Sequence, residues 1–230
     1  MFLQINQVGE TAATVAAEVA GGAEKLPLID LAVKGGWIMV VLAIILVFCV
    51  YLFIERYLTL GRALKDDTSF MNSIREYILS GNLNSARTLA KNNSTPISRM
   101  IDKGLSRLGR PLNDIQTAIE NSGQLEVSRL ERNLWLIATF AGLGPMIGFL
   151  GTVTGMIRSF FDMSNAGNNI NITLLSGGIY EALVTTVAGL IVGIVALFFY
   201  NLLVAKVDKV VFLLEVKTTE FMDLLNEPSK

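Results

Sequence analysis

Between Asp162 and Lys206 the chain carries a single charged residue, Glu181, in an apolar stretch long enough to cross a membrane. A carboxylate at the centre of a bilayer costs roughly 2.5–3.5 kcal/mol on insertion scales, so one that persists faces a pathway or a partner. The chemistry open to it is uptake and release of a small cation, H⁺ first of all. Thr185 and Thr186 follow Glu181, and Thr152 and Thr154 lie in the preceding apolar stretch. A proton path needs hydroxyls or waters to carry hydrogen bonds and one group that titrates, and Glu181 can supply the second. The plainer alternatives are a neutral carboxyl linking helices by hydrogen bonds, and hydroxyls returned to their own helix backbones.

Other chemistries are narrowed by what is missing. The chain has no histidine, which removes imidazole relays, Ser-His and Cys-His nucleophiles and every zinc motif that requires His. Cys49 is the only cysteine and lies in an apolar run, excluding a disulfide within one chain and a cysteine metal cluster. No span holds paired carboxylates or a Ser-Lys arrangement, so the chain is read as a non-enzyme with no metal and no cofactor. A net charge of −1 gives no footprint for nucleic acid.

The elements that must hold Glu181 follow from the apolar pattern. Hydrophobic residues make up 52%, charged residues 17%, and mean hydropathy is +0.52, values too apolar for an ordinary soluble domain. Trp37 to Ile54 is one uninterrupted apolar run, Asn133 to Ile157 holds no charge, and a third span falls within Leu174 to Leu203. At 1.5 Å per residue each can cross a hydrocarbon core of about 30 Å. Trp37, Tyr51, Trp135 and Tyr200 stand near their ends, where aromatic belts form.

Basic residues set an orientation. Twelve Lys and Arg lie between the first two spans, from Arg56 to Arg132, and Lys206, Lys209, Lys217 and Lys230 follow the third. The N-terminal segment has only Lys25 and Lys34, and Met163–Thr173 has none. The positive-inside rule therefore puts the N-terminus and the short loop outside, and the large loop and tail in the cytoplasm. The first basic residue is Lys25, so no secretory signal is expected. Leu26, Ile29, Ala32 and Val33 recur at helical spacing and suggest an interfacial helix, or a plain linker.

The cytoplasmic part reads as helices throughout. Phe70, Ile74, Tyr77 and Ile78 form one stripe and Leu83, Ala86, Leu89 and Ala90 the next, separated by Ser80-Gly81-Asn82. Thr95 with Pro96 predicts a capped helix to about Leu108. The stripe Leu112, Ile115, Ile119, Leu130, Leu134 predicts a helix running unbroken into the second span. Val207, Val210, Val211, Leu214, Thr218, Phe221 and Leu225 extend the third span well beyond the membrane.

The expected fold is an all-α integral membrane protein with three transmembrane helices, two of them extending into a helical cytoplasmic domain. Its segments are 1–36 extracytoplasmic, 37–54 first span, 55–132 cytoplasmic helices, 133–161 second span, 162–173 extracytoplasmic loop, 174–205 third span and 206–230 cytoplasmic C-terminal helix. Gly144-x-x-x-Gly148, Gly151-x-x-x-Gly155 and Gly189-x-x-x-Gly193 favour close helix packing, within one chain or between copies.

Gly148-Phe-Leu-Gly-Thr-Val-Thr-Gly155 with Met156-Ile-Arg-Ser-Phe160, and Gly178-Ile-Tyr-Glu-Ala-Leu-Val-Thr-Thr-Val-Ala-Gly-Leu190, resemble the MotA/TolQ/ExbB proton-channel family, the ExbB-like branch most. Lys34-Gly-Gly-Trp37 and Phe53-Ile-Glu-Arg56 look like the flanks of that family's first span. The resemblance covers all three spans in order; three spans fit ExbB and TolQ, whereas MotA has four. It implies that Glu181 is the family's third-span glutamate and that Thr152 and Thr186 are its second- and third-span threonines. It further implies a homopentamer around a dimeric single-span partner of the ExbD/TolR type, whose intramembrane aspartate Thr152 and Thr186 would face, with a TonB-like protein beyond. Such a complex sits in the bacterial inner membrane, N-terminus periplasmic, and turns proton motive force into mechanical work on the outer membrane. A TolQ-like envelope motor, a gliding-type motor and a non-conducting scaffold are the alternatives. Val195 stands where many relatives have proline, and Thr154 where many have a bulky side chain, which leaves the sub-branch open.

Overall fold

The computed structural model describes residues 35–64, 68–165 and 172–226. The expected interfacial helix at Leu26–Val33 and half of the loop 162–173, residues 166–171, lie outside them. Seven α-helices make up the described residues: α1 Gly36–Ala63, α2 Thr68–Leu79, α3 Leu83–Asn92, α4 Pro96–Leu105, α5 Leu112–Glu131, α6 Leu134–Asn165 and α7 Ile172–Asn226. Three of these, α1, α6 and α7, are long and apolar enough to cross a membrane. Val40, Ile44, Val47, Ile157, Leu183 and Ile194 are exposed along them, as side chains meant for lipid or a neighbouring helix would be.

Two compact units divide the described residues: 35–41 with 147–188, and 42–146 with 189–226. The second holds the hydrophobic core. Ile74, Ile101, Ile119, Val210 and Phe221 are wholly buried there with Leu60 and Leu203. Gly104 of α4 lets α5 and the far end of α7 close in: a Cβ on it would stand 2.8 Å from both Ile119 Cδ1 and Phe221 Cε1. The tail of α7 is thus a packed element. Phe53 and Phe199 stack with ring centroids 4.0 Å apart, and Lys206 Nζ lies 3.1 Å from the centre of the Tyr57 ring, an arrangement that suits a cation.

Helix starts follow the punctuation. Thr95 Oγ1 accepts from the Ser98 N–H at 3.2 Å with Pro96 in the first turn, and Asn82 Oδ1 accepts from the Ser85 N–H at 3.3 Å. Two expectations are corrected. The capped helix ends at Leu105, not near Leu108: the Arg107 N–H turns to the Gly104 carbonyl, and Gly109 adopts φ +91° to reverse the chain. The stripe from Leu112 to Leu134 is not one helix. It breaks at Arg132 and Asn133, where Asn133 has φ +69° and its carbonyl accepts from the Leu136 N–H to open α6. Asparagine tolerates that left-handed backbone far better than its apolar neighbours would.

A second feature of this unit escaped the pattern reading. Glu126 is buried, and its two carboxylate oxygens accept from Arg99 and Arg129, each at 2.5 Å. Both arginines reach water, so the pair is held without two charges being fully dehydrated.

Candidate functional site

Glu181, Thr152 and Thr186 all belong to the first unit, built from the first residues of α1, the second half of α6 and the first third of α7. The two longer helices run antiparallel, and small residues set their separation. A Cβ on Gly155 would stand 3.0 Å from Ala182 Cβ and 3.2 Å from the Gly178 carbonyl oxygen. One on Gly151 would overlap the Thr185 hydroxyl, and one on Gly178 the Ser159 hydroxyl. Gly151 and Gly155 are therefore spent on close approach of α6 and α7 within one chain.

Each hydroxyl then finds an acceptor. Thr152 Oγ1 donates to the Phe149 carbonyl at 2.6 Å and Thr154 Oγ1 to that of Leu150 at 2.9 Å, both on their own helix. Ser159 and Thr185 are buried and donate to Gly155 and Ala182 carbonyls at 3.0 and 2.8 Å. Thr186 differs. Its Oγ1 crosses to α6 and donates to the Gly148 carbonyl at 3.1 Å. The in-helix bond expected of an ordinary threonine thus describes Thr152, while Thr186 ties two helices together.

Glu181 is half-buried and makes no ion pair among the described residues. Its carboxylate lies against the first residue of α1: Gly36 has φ +65°, and a Cβ there would collide with Glu181 Oε1. The first turn of α1 has no acidic residue of its own. A helix N-terminus presents unpaired N–H groups and about half a positive charge, so a carboxylate from α7 meets a favourable field there. Gly35 stands beside Thr185, one turn along α7, with 3.5 Å from its Cβ position to Thr185 Cγ2. Among the described residues no hydrogen bond joins Glu181 to Thr152 or Thr186.

Sequence reasoning named Thr185 only as one of the hydroxyls following Glu181, and it missed Gly36 as a contact of Glu181. Gly36 was visible only as part of a span flank, and nothing local tells that residue 36 meets residue 181. Chemically, the arrangement sets one titratable group where a helix end can stabilise its charge, beside hydroxyls on two helices. Among the described residues no three acidic or thiol side chains cluster to hold a metal.

Comparison with known proteins agrees. Residues 92–216 match the model of the MotA/TolQ/ExbB proton channel family. The putative biopolymer transport protein ExbB-like 3 of Synechocystis is 32% identical over 168 residues, 73% of this chain and 80% of that protein. The biopolymer transport protein ExbB of Neisseria meningitidis is 28% identical over 183 residues, 74% of this chain and 80% of its own length. The Tol-Pal system protein TolQ of Haemophilus influenzae is 35% identical over 85 residues, 37% of each chain. With three apolar helices of membrane-spanning length, a small-residue seam between two of them and these matches, the chain belongs to the MotA/TolQ/ExbB proton channel family.

Proposed function

We propose that this chain is the proton-conducting stator subunit of an inner-membrane motor of the ExbB–ExbD type, and that Glu181 takes up and releases the proton. The observation that carries the reading is the placement of Glu181: the one charged residue between Asp162 and Lys206, half-buried at the first turn of α1 in a unit that also holds Thr152 and Thr186. The active form is a homopentamer around a dimer of single-span, ExbD/TolR-like proteins, whose intramembrane aspartate faces the two threonines. The N-terminus is periplasmic, and the helices α2–α5 with the tail of α7 form the cytoplasmic body, in keeping with the basic residues from Arg56 to Arg132. The subunit is not an enzyme and takes no cofactor.

The membrane potential supplies about 2.3 kcal/mol per charge per 100 mV, so one mechanical event has to draw on several protons. Similarity to proteins named ExbB over most of the chain favours outer-membrane transport, through a TonB-like protein, as the process driven; the shorter TolQ match leaves envelope maintenance as the second assignment. Glu181→Gln is expected to abolish proton-driven work while the complex still assembles. Normal coupled activity in that variant refutes the reading. Loss of assembly with flux per assembled complex unchanged supports a scaffold in which Glu181 serves as a link, a role its contact with α1 would also fit.

A further inference from the structure

We propose that the cleft between α3, α4 and α5 binds a phosphate-bearing anion. The cleft has a volume of about 330 Å³, and Lys91, Arg99, Asp102, Lys103, Ser122 and Arg129 line it together with Glu126. Four of these are cationic (Lys91, Arg99, Lys103 and Arg129) and two anionic (Asp102 and Glu126), an excess of two positive charges. Glu126 is already engaged, accepting from Arg99 and Arg129, while Asp102 Oδ1 only faces Arg87 Nε at 3.6 Å. Lys91 and Lys103 have no such partner among the described residues.

The buried lining points the same way. Ser122 is only 8% exposed, and its hydroxyl makes no hydrogen bond among the described residues. Arg99 Nε is buried with its N–H unpartnered. Buried donors nearly always meet an acceptor, so the idle Arg99 N–H, in a cleft that Lys91 and Lys103 also line, describes a site short of an oxyanion. A tetrahedral phosphate has oxygens enough for the Ser122 hydroxyl, the Arg99 N–H and both lysines, and arginine and lysine recognise it readily. Asp102 Oδ1, buried without a hydrogen bond, is the opposing group. It can accept from the P–OH of a monoprotonated phosphate, or from a hydroxyl of a glycerol headgroup.

Two sources offer this chemistry. Arg129 precedes the Arg132–Asn133 break, after which α6 begins its apolar run, so the cleft lies close in sequence to the start of a span, where anionic headgroups gather. Free phosphate in solution is the other source.

The test uses the full chain in a neutral detergent, titrated with inorganic phosphate, with dihexanoylphosphatidylglycerol and with dihexanoylphosphatidylcholine as the zwitterionic control. Saturable binding of inorganic phosphate identifies a soluble ligand; binding of the phosphatidylglycerol alone identifies a lipid headgroup. In either case Lys91→Gln/Lys103→Gln should weaken binding about tenfold. Ser122→Ala, which changes no charge, should weaken it about threefold. Arg107→Gln/Arg110→Gln, an equal charge loss at exposed positions outside the cleft, should leave it unchanged. The proposal is overturned if neither anion binds saturably, if phosphatidylcholine binds equally, or if the arginine pair weakens binding as much as the lysine pair. Ser122→Ala keeps the test decisive should the lysine variant fail to fold.

Discussion

Replacing Gly36 by alanine puts the placement of Glu181 to the test. Gly36 stands at φ +65°, where a residue with a Cβ pays roughly 1–2 kcal/mol for left-handed backbone. The added methyl also falls on Glu181 Oε1, so the carboxylate must leave the end of α1 or the end of α1 must unwind. Separating a carboxylate from a partly buried helix N-terminus forfeits about 1 kcal/mol more. Together roughly 2–3 kcal/mol is at stake, enough to lower the population of the present arrangement about 30- to 150-fold. Two readouts follow. In proteoliposomes holding the complex, proton flux driven by a potential should fall steeply. Reaction of Glu181 with a hydrophobic carbodiimide should change in rate, because the carboxyl has lost its place beside α1. Gly177→Ala is the control: it lies one turn before Glu181 on the same helix, and nothing stands within 4 Å of its Cβ position. If Gly36→Ala folds and matches the parent in both readouts, the contact with α1 has no part in setting the state of Glu181.

Three further outcomes are expected. Gly144→Ala should destabilise the α6–α7 seam by about 1–3 kcal/mol in detergent unfolding, because its Cβ would stand 2.9 Å from the Gly189 carbonyl oxygen and the Gly193 nitrogen, both backbone. Gly142→Ala, with open space around it, should be neutral or stabilising by up to about 1 kcal/mol, and equal behaviour of the two variants would contradict the packing described. Glu126→Gln should lower stability by about 1–3 kcal/mol, less than the 3–5 of a fully buried pair because both arginines reach water, and an unchanged melting temperature would show the triad to be inert.

Physical scale decides what could be read from sequence. The spans were legible because their signal is summed over many residues; the run from Trp37 to Ile54 needs no tertiary knowledge. Starts such as Thr95-Pro96 were legible because the cap is local chemistry, completed within three residues. The break at Arg132–Asn133 was not, since the apolar stripe continues across it and only Asn133 hints at left-handed backbone. Glu181, Thr152 and Thr186 could be singled out as candidates because a charge in lipid stands out and the motif supplied the rest. Gly36 could not, because its meaning lies in a contact with a residue far away in sequence. Glu126 could not be singled out for a similar reason: its burial depends on α4 lying across α5.

The contact between Glu181 and α1 also determines which substitutions can separate a pathway from a link. A glutamine at 181 keeps the shape and an oxygen that can accept but removes the group that titrates and the charge a helix end favours. Lost flux in an assembled complex therefore reports a pathway, and lost assembly reports a link. Alanine would remove the shape and the oxygen as well and decide nothing. The threonines divide in the same way. Thr186→Val severs a bond between α6 and α7, so lost flux there mixes packing with conduction. Thr152→Val removes only an in-helix bond to the Phe149 carbonyl, which costs little stability, and valine keeps the shape. Flux that falls on Thr152→Val with the complex intact therefore reports on a hydroxyl in the path. Silence in both Thr152→Val and Thr186→Val would require the path from Glu181 to be redrawn through other groups.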